Sequence, residues 1–131
     1  MRVGIVPFAS AALACAAPAL AHHSFSMFDA EKTVMVEGTV KEFEYVNPHA
    51  WLHVVAPDSS GKPAEWSIEM GGLNALMRSG WRADTVKPGD RVSVQIHPMK
   101  DGSRGGQYMT AKLPDGRTMD GGDSGLPPIA R

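Results

Sequence analysis

Thiol chemistry is nearly absent from this chain, which has one cysteine, Cys15, in 131 residues. Without a second thiol no internal disulfide can staple the fold, so apolar burial must carry its stability. Charge of one sign is also missing: 13 Lys plus Arg stand against 14 Asp plus Glu, for a net of -1. The clustered cations that hold a phosphate backbone are therefore not available, and nucleic acid is not an expected partner. No internal repeat or nucleotide-binding glycine motif is present, since "SRGG" and "KPGD" read as turns that open no helix. Nor do a nucleophile and base announce themselves. Ser24 beside His23 is adjacency rather than a triad, and Glu37, Glu42, Glu44, Glu65 and Glu69 fall on the wet faces of strands. The expectation is a protein that is not an enzyme.

What is present begins with a leader. Arg2 is followed by an uncharged, Ala-rich run that closes on Ala19-Leu20-Ala21, the pattern of a secretory signal with an A-x-A cleavage site over 1–21. Two alternatives stand beside it. A retained transmembrane anchor conflicts with Pro7, Pro18 and the lack of a following Lys/Arg cluster. Lipidation at Cys15 would use "ALAC", which lacks the usual Leu three places before the cysteine. The expected location is periplasmic or secreted, with no transmembrane segment in the mature chain.

After a polar lead-in over 22–32, "TVMVEGTVKEFEYV" alternates through Val34, Val36 and Val40 and then changes parity to Phe43 and Tyr45. Period two with one slip predicts a long strand carrying a bulge, with Gly38 as the residue that tolerates the bend. "NPH" turns the chain into "AWLHVVA" over 50–56, and "PDSSGKP" leads to "EWSIEM", where Trp66, Ile68 and Met70 share one face. Leu73, Leu76 and Met77 have helical spacing between Gly72 and Gly80. A fourth strand follows with Val92, Val94 and Ile96 inward and His97 outward, then a fifth with Met109, Ala111 and Leu113 on one face. The order predicts an all-β fold over 33–113: a small five-stranded OB-like Greek-key barrel with one short helix between strands three and four. A turn and flexible tail are expected over 114–131. An open five-stranded sheet packed on one helix has the same order and is the alternative.

The runs "AHHSFSMFD", "VEGTVKEFEYVNPHAWLHV", "W…IEMGG…L…GW", "KPGDRVSV…HPMKDG…GG" and "LPDGR" resemble the small exported bacterial proteins grouped as domain of unknown function 6152. "NPHAW" and the His-His start are the most specific of these pieces. The resemblance implies export and a small β-barrel-like domain, and brings no activity with it. A looser likeness, at the level of fold and residue types, is to periplasmic OB-barrel copper chaperones, which use His, Met and Trp side chains on a barrel face.

Cleavage after Ala21 would give His22 a free α-amino group beside its imidazole, and His23 would add a third nitrogen. Such nitrogen donors favour Cu(II) over other divalent ions, which makes copper the expected metal and otherwise none. A mobile polar terminus without a ligand is the competing reading. His49, Trp51 and His53 share a side if the second strand starts by residue 49, with about 7 Å between successive same-face residues. Either histidine could close the site, or the His-Trp-His face simply covers an outer groove and His49 caps the turn. Met27, four residues from His23, adds a thioether, whereas Met70, Met77 and Met109 occupy predicted core phases. The expected metal ligands are thus His22, His23, His49 and His53. A partner- or glycan-binding face built on Trp51, Trp66 or Trp81 is the alternative function, and core filling is the ordinary role of those rings.

Overall fold

A computed structural model describes residues 27–121. The expected signal peptide, His22, His23 and the last ten positions of the expected tail lie outside the described residues. The elements run β1 (Val34–Glu44), β2 (Trp51–Pro57), β3 (Pro63–Glu69), α1 (Leu73–Arg78), β4 (Arg91–Pro98), β5 (Gly105–Lys112) and β6 (Thr118–Asp120).

β1 is long enough to serve two partners. Its first half pairs antiparallel with β4, from Val34↔Ile96 to Thr39↔Arg91, and its second half pairs with β2, from Thr39↔Val55 to Glu44↔Trp51. The bend between them has two causes. The register shifts between Val40 and Glu42, so the parity change read in the sequence is a bulge at Lys41. Gly38 meets a different demand, because a Cβ there would stand 2.1 Å from the Val55 carbonyl oxygen. Beyond the bulge, Phe43 faces the core and packs on Trp81 with ring centroids 5.4 Å apart.

The sheet order β3-β2-β1-β4-β5 closes on itself through parallel pairing of β3 with β5, at Ser67↔Gly105, Ile68↔Gly106 and Glu69↔Gln107. This is the closed five-stranded OB-like barrel, with α1 between the third and fourth strands, and the open-sheet alternative is excluded. Two glycines make the seam. A Cβ on Gly105 would lie 2.6 Å from the Ser67 carbonyl oxygen, and one on Gly106 would lie 2.3 Å from that of His97. Inside, Leu52, Val54, Ile68, Val94, Ile96 and Trp81 are fully buried. Leu76 of α1 joins the same core, and the Asn47 side chain accepts the Leu73 amide at 3.0 Å at the helix start.

Several positions depart from the sequence pattern. His97 is buried rather than outward in solvent, and it donates its Nδ1–H to the Lys32 carbonyl at 2.8 Å. The reason is the lead-in, which packs along the barrel: Phe28 bridges Met99, the Asp29 amide donates to Pro98 and the Lys100 amide to Met27. Met77 is 43% exposed and so is no core residue. On β5 the register shifts opposite Gln95/Ile96, which turns Tyr108 inward and leaves Met109 only partly buried. Finally, the chain past Leu113 turns and returns as β6 against β5, burying Met119, where the pattern predicts only a turn and tail.

Candidate functional site

The register sets out the barrel's outer face in two rows. One crosses Glu42, His53, Ser67 and Gly105; the next crosses Glu44, Trp51, Glu69, Gln107 and His97. Leu52 and Val54 point to the core between them, so Trp51 and His53 share the outer side as the alternation predicts. β2 begins at Trp51, and His49 precedes it in the turn.

Each predicted histidine of the barrel has its own carboxylate. The His49 Nδ1 lies 2.6 Å from Glu69 Oε1, with the imidazole 44% exposed and the carboxylate 14% exposed. A carboxylate only accepts, so Nδ1 carries the proton and the neutral ring keeps its lone pair on Nε2. His53 is held at both nitrogens, by Glu44 Oε1 at 2.9 Å on Nε2 and by the Ser67 hydroxyl at 3.1 Å on Nδ1. Glu65 stands 3.7 Å from the same Nδ1 and pairs with Lys41 at 2.5 Å, and that ammonium holds the Glu65 carboxyl below its ordinary value. Because β2 starts two residues after His49, strand alternation does not set the two histidines on one side as expected, and their carboxylate partners differ. Among the described residues no group of three or more His, Cys, Asp and Glu side chains is arranged to hold a metal ion.

Next to Glu69 is a shallow cavity of about 150 Å³, lined among others by Met27, Phe28, Trp51, Met99 and Gly105. Gly105 lines it without a side chain, and Met99 lies over that glycine. A larger surface groove between Met35, Ala56, Trp66 and Arg91 contains none of the predicted metal ligands, and of the three candidate partner-binding tryptophans only Trp66 lines it. The sequence pattern missed the pairing of Glu69 with His49 and of Glu44 with His53, because both depend on cross-strand register. The available signal was the outward phase of Glu69 in "EWSIEM" and of Glu44 in "KEFEYV". It missed Met99 altogether, which the lead-in brings beside Met27. Among the described residues no helix is long and apolar enough to cross a membrane.

Among solved structures, the chain is similar to the mitochondrial single-stranded DNA-binding protein Rim1 of S. cerevisiae. The TM-score is 0.45 at 15% identity, over 63% of this chain and 94% of that one. No curated protein matches the chain. A family model matches residues 11–109, ending within β5. With the model covering that much of the sequence, the chain belongs to the family of unknown function DUF6152.

Proposed function

We propose that this protein is an exported, non-enzymatic binding module that holds a copper-class metal at its processed N-terminus, with the barrel adding one further ligand. The α-amino and imidazole nitrogens of His22 chelate the ion, His23 adds a nitrogen, and His49 closes the site through Nε2. The single observation that carries this reading is the His49–Glu69 pair, at 2.6 Å. A metal-binding imidazole characteristically gives its other N–H to a carboxylate, which fixes the tautomer and raises the basicity of the ligating nitrogen. His53 is the weaker candidate, since both of its nitrogens are engaged and one bond would have to break.

Chain length supports the same reading. Met27 lines the cavity that Glu69 also lines. Four residues of extended chain span about 14 Å, so His23 is within reach of the His49 imidazole. Copper titration of protein beginning at His22 tests it. An extra alanine ahead of His22 is expected to weaken Cu(II) binding, and Glu69→Ala to weaken it by about tenfold through His49. Equal affinity in a variant lacking both His22 and His23 overturns the proposal.

A second reading has its own observation in Trp51, which stands partly exposed on the outer face rather than in the core. On that reading the face binds a protein or glycan partner. Crosslinks centred on Trp51 that persist in the presence of a chelator would favour it over the metal.

A further inference from the structure

We infer that the first half of β1 presents an open hydrogen-bonding edge that takes an extended, acidic peptide segment of another protein by strand addition. The edge lies in a groove that contains none of the candidate metal ligands, so the inference stands apart from the copper reading.

Hydrogen-bond phase defines the edge. The Val40 amide donates to the Asp90 carbonyl and the Val40 carbonyl accepts from the Gly89 amide, both at 2.8 Å, so Val40 turns its main-chain groups toward β4. Successive residues of a strand alternate between its two edges, which gives Val34, Val36 and Gly38 to β4 and Met35, Glu37 and Thr39 to the opposite side. β2 meets that side only from Thr39↔Val55 onward. At the same register the next hydrogen-bonded pair would oppose Glu37 to Pro57, and proline has no N–H to give. β2 then leaves through the Asp58 turn, where the Asp58 amide donates to the Lys62 carbonyl at 2.8 Å. The N–H and C=O groups of Met35 and Glu37 thus have no ladder partner among the described residues.

A groove of about 610 Å³ runs along this edge, with Met35, Val36, Glu37 and Gly38 on one side and Val55, Ala56 and Pro57 on the other. It is blind at Gly38, where a Cβ would stand 2.1 Å from the Val55 carbonyl oxygen. An added strand would take main-chain hydrogen bonds from Met35 and Glu37, and one of its alternate side chains would face the apolar wall of Val36, Ala56 and Trp66. Charge selects the flank. Arg91 lines the groove, and the Lys and Arg ion pairs among the described residues engage Lys32, Lys41 and Arg117 but not Arg91. The Glu37 carboxylate is occupied within its own sheet, where it accepts from the Ser93 hydroxyl at 3.2 Å. The free charge is positive, so its complement is a carboxylate on the partner strand. A second copy of this chain fits less well, because pairing β1 with β1 would bring two Glu37 side chains to one face of the joint ladder.

A displayed library of random linear octapeptides, selected on protein beginning at His22, is the probe. Selected peptides are expected to carry an acidic residue near an apolar one. They should slow exchange of the Met35 and Glu37 amides by about tenfold or more, and leave the Asp29 and Gly121 amides, bonded to Pro98 and Met109, unchanged. Glu37→Pro removes an N–H that bonds nothing in the fold, so Tm should stay within about 3 °C while peptide affinity falls by about tenfold or more. Val36→Pro, which removes an N–H facing β4, should destabilise the barrel far more. Arg91→Gln should weaken acidic peptides by about threefold. N-methylated peptides make the same test on the unaltered chain: methylation of the amides in one alternating phase should abolish binding, and methylation in the other should spare it. A selection that yields no binder, or binding that survives Glu37→Pro and N-methylation in either phase, overturns the inference. Protection of Met35 and Glu37 that rises with protein concentration alone also overturns it, by making a second copy the occupant.

Discussion

Phe28→Ala is the substitution that most directly probes how the lead-in is tied to the barrel. The ring is 5% exposed but stands outside the main core cluster, so its loss acts on the segment it pins rather than on the barrel interior. Full burial of a phenylalanine side chain is worth about 1.5–3 kcal/mol by transfer. Truncation of buried phenylalanines costs ~3–5 kcal/mol once the cavity is included. Because the Phe28 pocket opens to the surface beside Met27, the lower end applies, about 3 kcal/mol, which is roughly a hundredfold in the opening equilibrium. Native-state amide exchange reads this residue by residue. The amides of Asp29 and Lys100, bonded to Pro98 and Met27, should exchange about a hundredfold faster in the variant. Those of Val40 and Met70, bonded within the barrel to Asp90 and Ala50, should keep their rates. If all four accelerate together, Phe28 is part of the cooperative core, and if none does, its burial does not hold the lead-in.

Two further substitutions and one titration follow from the same geometry. Gly106→Ala forces a Cβ to 2.3 Å from the His97 carbonyl oxygen and 2.7 Å from Ile96 Cδ1, and should cost on the order of 2 kcal/mol, lowering Tm by about 8 °C or more. Gly116→Ala, whose Cβ meets nothing but whose φ is +86°, should cost about 1 kcal/mol; equal losses by calorimetry would contradict the account of barrel closure. The Asp58 carboxyl accepts from the Ser60 hydroxyl and from the Lys62 and Ser60 amides, which hold it below its ordinary 3.8. Its contribution is therefore complete above that value and is lost as pH falls through the lower folded value. Carbon-detected titration of Asp58 should show a midpoint under 3.8, and a midpoint at or above it refutes the turn geometry.

The barrel was legible in the sequence because one face of each strand is buried and the other is not. Val34, Val36, Val40 and then Phe43 carry the bulge in their parity alone, and Ile68 and Ile96 announce the inward phase of their strands. What the pattern could not carry was contact between segments distant in sequence. His97 reads as a wet residue on its own strand, and only the lead-in lying across it makes it buried. Tyr108 and Met109 exchanged roles through a bulge that leaves no parity signature in "GGQYMTAK". The β6 strand is three residues long, too short for alternation to register, and its pairing is set by the turn at Gly116. At the candidate site, the outward side of Trp51 and His53 followed from strand phase. The carboxylate belonging to each histidine followed only from register, and the neighbouring Met99 only from the path of residues 27–29.

Paramagnetic broadening by Cu(II) tests the central claim most directly, because it reports where on the barrel the N-terminal metal sits. With one equivalent of Cu(II) added to protein beginning at His22, the signals of Met27, His49, Trp51 and Glu69 are predicted to broaden first, while those of Gly61 and Asp115 stay sharp. Broadening that leaves His49 and Glu69 untouched, or that is unchanged after His22 and His23 are both replaced by alanine, would contradict the account.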